Sequence, residues 1–153
     1  MLPKTHVIAG IILSFAVFLL WPAIGLFYLL IFLFSSILID FDHYLYFIWA
    51  KNDFSLAHAY KWFVAKREFI RSMPLSKKAK YQHAVLIFHG IELWVIVLLL
   101  SFIHPTFVYV LFGITIHMFF DFVEIIYYKN PLYSKISQIY VYFSNKNKKP
   151  LPF

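Results

Sequence analysis

The sequence predicts an all-α integral membrane protein: a helical bundle with about four principal transmembrane helices and an amphipathic cytoplasmic segment. Three observations predict it. The chain is 62% hydrophobic and only 14% charged, whereas a soluble domain carries about 25% charged residues. The apolar residues gather into runs, His6–Leu20, Ala23–Ile39, Ala84–Ile103 and Phe107–Tyr128, near the length of about 20 that spans a bilayer. The net charge of +7 is concentrated between and after these runs.

The first run is short for a span. Gly10 and Ser14 within it permit close helix packing. It reads as a span rather than a signal peptide, because its start is weakly basic and no small-residue cleavage pattern follows. Trp21-Pro22 breaks the helix, and Ala23–Ile39 returns as the second arm of a tight hairpin.

Residues 51 to 82 follow, with eight Lys and Arg against Asp53 and Glu68. Leu56, Tyr60, Phe63 and Val64 recur at helical spacing there, with Lys61, Lys66 and Arg67 at other angles. This is the pattern of a helix lying on an anionic membrane surface, and equally of a soluble helix packed on the bundle. Ala84–Ile103 and Phe107–Tyr128 form the second hairpin across the uncharged turn His104-Pro105-Thr106. Residues 1–143 read as one membrane-embedded domain, and 144–153 as a basic tail expected to fray. The middle loop and tail are basic while both tight turns are uncharged, so the termini and the loop are expected in the cytoplasm of a multi-pass plasma-membrane protein.

The absence of cysteine excludes disulfides and thiolate ligands. The basic charge comes without any nucleic-acid motif, so membrane lipids, not nucleic acid, are the expected partners. Composition leaves the oligomeric state open.

Five of the seven acids (Asp40, Asp42, Glu92, Asp121, Glu124) and four of the seven histidines (His6, His43, His89, His117) lie in or at the ends of the apolar runs. A carboxylate at a membrane-helix centre costs about 2.5–3.5 kcal/mol on insertion scales, so such residues mark function. With a rise of about 1.5 Å per residue, all four runs place these residues in the cytoplasmic half of the bundle. His117, Asp121 and Glu124 share one stripe, as do His89 with Glu92 and Asp40 with His43. Asp42 points away from Asp40 unless the helix unwinds there.

Imidazole and carboxylate together are a ligand set for a divalent ion, zinc first, with manganese or iron also accommodated. The set is His6, Asp40, His43, His89, His117 and Asp121. A hydrogen-bonded core histidine is the ordinary alternative for any one of these, and the better reading for His104. His58 and His83 are weaker candidates. No Lys or Arg lies inside the runs to neutralise the acids, which favours a bound cation over ion pairs.

Thr5-His6 with Gly10, then Asp40-x-Asp42-His43, a central histidine motif and Gly113-x3-His117-x3-Asp121 appear in that order. Over residues 1 to 130 this resembles the YdjM-like membrane-bound metal-dependent hydrolases, a family distantly similar to zinc-dependent phospholipase C. Ile39 stands where that family often has proline, and His89-Gly90-Ile91-Glu92 replaces its central motif. The resemblance implies metal-dependent hydrolysis, of a phosphoester and conceivably of a lipid head group at the cytoplasmic face. Asp40, Asp42 and Glu92 are the carboxylates that could orient the water or act as base, with Glu92 the first candidate and Asp42 the next. No serine-triad or phosphate-loop motif is evident. Two other classes compete: a divalent-cation or proton transporter, and a structural membrane protein braced by a metal. The outer halves of the runs are nearly devoid of polar residues beyond Ser14 and Ser101, which speaks against a channel.

Overall fold

The computed structural model describes residues 3–152, and they are helical with no strand among them. Helix α1 spans Pro3–Leu20 and ends at Trp21, where Pro22 opens a single 3-10 turn, Pro22–Ile24. Gly25 at φ 72° then redirects the chain into α2, Gly25–Leu38. This left-handed backbone is open to glycine and strained for other residues.

The chain breaks again at Ile39-Asp40 and re-enters a helix as α3, Phe41–Lys51, closed by Asn52 at φ 50°. The two segments together make an apolar stretch, Pro22–Lys51, long enough to cross a membrane. Asp53 accepts from the Ser55 amide and sits 2.7 Å from His58 Nδ1, while the Ser55 hydroxyl caps α4, Leu56–Ser72. Met73-Pro74 ends that helix, and one further turn, α5, covers Leu75–Lys78.

Ala84–Gly90 differs from expectation. It is not helical, and α6 occupies only Ile91–Ser101. The reason lies in distant side chains that claim its amides: Gln138 Oε1 accepts from Leu86 N (2.8 Å) and Asp42 Oδ2 from Phe88 N (2.9 Å). After the His104-Pro105 turn, α7 runs unbroken over Thr106–Tyr127 and is the second stretch long and apolar enough to span. Two long apolar stretches, with shorter ones at Lys4–Leu20 and Ile91–Ser101, thus stand where four full spans were expected.

Helix α2 lies between α1 and α7, and α7 also packs on α6. Glycine allows the close approach. A Cβ on Gly113 would sit 2.7 Å from the Phe32 carbonyl oxygen, and one on Gly10 would meet Ser36 Oγ at 2.8 Å. Stacked Tyr28 and Tyr109 and the Trp94–Thr115 hydrogen bond (2.9 Å) tie the same helices further along. Ile39, Val97 and Ile114 form the buried apolar centre.

The stretch expected to fray is instead held. Helices α8, Tyr133–Ile136, and α9, Gln138–Asn145, are followed by a returning segment in which Lys149 pairs with residues 80 to 82 through an isolated bridge. Asn145 brackets His83 with two hydrogen bonds, 3.0 and 2.7 Å.

Candidate metal centre

Helix α7 presents Gly113, His117, Asp121 and Ile125 inward, one residue per turn. His117 faces the break between α2 and α3. At that break the Asp40 amide turns to the Ile37 carbonyl (3.3 Å), and the Ser36 carbonyl accepts from His117 Nδ1 at 2.8 Å. A carbonyl is only an acceptor, so the proton of neutral His117 sits on Nδ1 and its Nε2 carries a lone pair.

His89 is fixed the same way from another direction. Its Nδ1 lies 3.0 Å from Asp42 Oδ2, an ionised acceptor that also takes the Phe88 amide. In the neutral form, with its proton on Nδ1, its Nε2 also carries a lone pair. The two Nε2 atoms face each other at 3.2 Å with both rings about 1% exposed. Two lone pairs at this distance repel unless a proton or a metal ion lies between them.

Two carboxylate oxygens complete the arrangement. Asp40 Oδ1 is 3.4 Å from His89 Nε2 and 3.6 Å from His117 Nε2. Asp121 Oδ2 is 3.5 and 3.7 Å from the same atoms. Ligands about 2.0–2.2 Å from a tetrahedral zinc stand about 3.3–3.6 Å apart. Of the five separations, 3.4, 3.5 and 3.6 Å fall in that range, and 3.2 and 3.7 Å lie about 0.1 Å outside it. Carboxylate or carbonyl partners on the far nitrogen of each histidine are the usual outer support of a metal-binding imidazole.

His6 and His43 flank this core. The His6 ring stacks on His117 at 4.0 Å, with Nε2 3.4 Å from Asp121 Oδ1. His43 Nδ1 lies 3.1 Å from Asp42 Oδ1 and 3.5 Å from Asp40 Oδ1. Three overlapping groups can hold an ion: His6–Asp40–His117, Asp40–His43–His89 and His89–His117–Asp121. Asp40 belongs to two of them, and its Oδ2 is buried without a hydrogen bond.

The six residues of the expected ligand set thus meet, from α1, the α2–α3 break, α3, the 84–90 segment and α7. Asp42 is beside them as the anchor of His89 and His43. Glu92 is not brought in, which corrects its expected place on one helical face with His89. His89 precedes the helix, so no common face exists. The Glu92 carboxylate instead accepts from Ser137 Oγ (2.5 Å), Gln138 N (3.2 Å) and Ile139 N (3.2 Å), at the start of α9. Glu124 likewise turns from the stripe to Arg71, at 2.5 Å.

Sequence reasoning missed Lys135. Its ammonium reaches back from α8 to Asp121 Oδ2 at 2.8 Å. It lies beyond the last apolar run, and no local spacing links it to the cluster. The Ser36 carbonyl was also out of reach, since a backbone group leaves no mark in composition.

A cavity of about 410 Å³ opens between the cluster and α4, lined at its inner end by Asp40, His43 and Asp121. It gives a reactant access to the candidate ion. His83 also borders it, and burial with the nearby charges of Lys148 and Lys66 pushes its pKa down to about 4, so it is neutral at physiological pH. No family model, curated protein or solved structure matches the chain.

Proposed function

We propose that this protein is a multi-pass membrane hydrolase that uses a divalent ion, zinc first, to cleave a phosphoester at the cytoplasmic face. The observation that carries the reading is the pair of facing imidazole nitrogens, His89 Nε2 and His117 Nε2, 3.2 Å apart and enclosed by Asp40 and Asp121. The motif order that resembles the YdjM-like hydrolases supports the same reaction class. An ion bound there supplies Lewis acidity toward a phosphoryl oxygen and makes water nucleophilic near neutral pH.

The chain's own groups divide the remaining work. Asp42 and the Ser36 carbonyl hold the two imidazoles in the ligating tautomer. Asp40 borders the cavity, and its carboxylate, whose Oδ2 makes no hydrogen bond, would be the acceptor for a proton from attacking water. Lys135 is placed to meet negative charge developing on the phosphoryl oxygens.

Membrane placement is supported by the outward faces of α1, α2, α6 and α7. They expose Ile12, Phe15, Phe27, Phe34, Leu99 and Phe119 at half their surface or more. A continuous apolar exterior of this kind needs lipid or protein against it. The basic 51–82 segment and tail favour the cytoplasmic side for the cluster's end of the bundle.

Purified protein analysed for metal, then assayed on phosphomonoesters, phosphodiesters and phospholipids, tests the proposal. Bound zinc is expected, with loss of metal in His117→Ala and Asp121→Ala and chelator-sensitive turnover. Unchanged metal in both variants would remove the centre. Metal without any turnover, but with cation flux into proteoliposomes, would replace hydrolysis by transport.

A further inference from the structure

We infer that the cavity beside the cluster is built for a long-chain phosphomonoester or diphosphate, an anionic phosphate end joined to an aliphatic chain, and selects it over a zwitterionic head group. The orientation of that ligand rests on the hydrolase reading, while its selective binding does not.

Four cationic side chains border the cavity: Lys66, Arg67, Arg71 and Lys135. Two are matched inside the protein, Arg71 by Glu124 and Lys135 by Asp121. The other two have no carboxylate. Lys66 is 7% exposed and touches only aromatic faces, its Nζ 5.0 Å from the centre of Tyr46 and 4.7 Å from that of Trp62. Arg67 has a buried Nε with no acceptor. A buried cation without an anion is costly, and removing one partner of a buried pair leaves such a charge uncompensated. Both residues line a space that opens onto the candidate metal. The missing partner is therefore an anion that enters the cavity.

The chemistry of the donors narrows that anion. A guanidinium offers a planar fork that matches phosphate oxygens, and an ammonium adds a point charge. A phosphate with one ester bond keeps enough oxygens for both the metal and these cations. A choline-type head group would bring a fifth cation beside these four.

Much of the rest of the wall is apolar, with Tyr44, Tyr60, His83, Asn130 and Ser134 among it. Leu56, Ala59, Phe63, Ile70, Leu86 and Ile125 continue it away from the charges. Its volume of about 410 Å³ falls within the range of about 300–1,000 Å³ usual for small-molecule sites. Leu56 at its margin is largely exposed on the amphipathic helix α4. A chain leaving the cavity there passes directly toward the apolar phase on which such a helix lies.

Dodecylphosphonate has no scissile ester and dodecylphosphocholine has the same chain, so the two probe the head group alone. Both are titrated, with phosphorus NMR as readout, into the zinc-loaded protein in a maltoside detergent. Dodecylphosphonate is expected to bind about tenfold tighter or better. Arg67→Gln and Lys66→Met are each expected to weaken it about tenfold with zinc content unchanged. Lys66→Met removes a buried charge and so keeps the fold. Equal binding of the two probes, or phosphonate binding unchanged in both variants, overturns the inference. Methylphosphonate binding as tightly as dodecylphosphonate overturns its chain-bearing part. Selective binding without hydrolysis of dodecyl phosphate would sink the hydrolase reading and leave this site standing. Hydrolysis without selectivity would do the reverse.

Discussion

His117 is held at Nδ1 by the Ser36 carbonyl, and its Nε2 faces the carboxylates of Asp40 and Asp121. Lys135 competes for one of those carboxylates, since its ammonium bonds the Asp121 oxygen that an ion would use. A charge-assisted hydrogen bond contributes about 1.5–3 kcal/mol, so Lys135→Met is expected to raise zinc affinity about tenfold or more. Competition with a chromogenic chelator measures this, and unchanged affinity would mean that the lysine does not stand in the ion's way. Lys66 gives a pH signature. Burial first, and the Lys51 charge second, push its pKa down to about 8, against 10.5 for an ordinary lysine. Between those values the unfolded chain binds more protons than the folded one, so stability rises with pH through that window. Below it the folded protein carries the full cost, about 3 kcal/mol. Lys66→Met is expected to be the more stable protein at pH 7 and to lose the rise toward pH 10.5. Thermal unfolding at both ends of the window decides this.

The α2–α7 seam sets the centre's geometry, because Gly113 sits one turn before His117 and against the Phe32 carbonyl. A backbone oxygen at that distance has nowhere to move. Gly113→Val should cost about 1–3 kcal/mol or more from overpacking and, by levering His117 from Ser36, should lower zinc occupancy. A variant with normal melting temperature and normal zinc would show that the seam can relax. Helix α9 depends on Glu92, whose charge faces its first amides. Glu92→Gln is expected to lose about 1–2 kcal/mol of stability with zinc and turnover near wild type. A fall of about 100-fold in turnover at unchanged stability would return Glu92 to the chemistry.

The whole molecule has polar groups gathered at one end and apolar faces along its outer length. Its topology can be read without disturbing any native thiol, since the chain has no cysteine. Lys61 and Lys146 are both exposed. Cysteines placed there should resist an impermeant thiol reagent added to intact cells and react once the membrane is opened. Ready labelling from outside would invert the orientation and, with it, the leaflet that the cavity of Lys66 and Arg67 faces.

The helical class and most of the cluster were legible in the sequence for one physical reason. Charge inside an apolar run is expensive, so His6, Asp40, His43, His89, His117 and Asp121 stand out before any fold is known. Helical spacing then assigns Gly113, His117 and Asp121 to one face of a helix that does form. Partners far apart along the chain were not legible. Asp42 and Gln138 take the amides of the 84–90 segment from 46 and 52 residues away and keep it from being helix. The same tertiary contacts turn Glu92 toward α9, bring Lys135 to Asp121 and bury Lys66 over two aromatic rings. Periodicity is a property of a single helix, whereas the partner of a carboxylate is chosen by how separate helices meet. The sequence therefore announced which residues carry the polar chemistry, and only the tertiary structure decided which of them face one another.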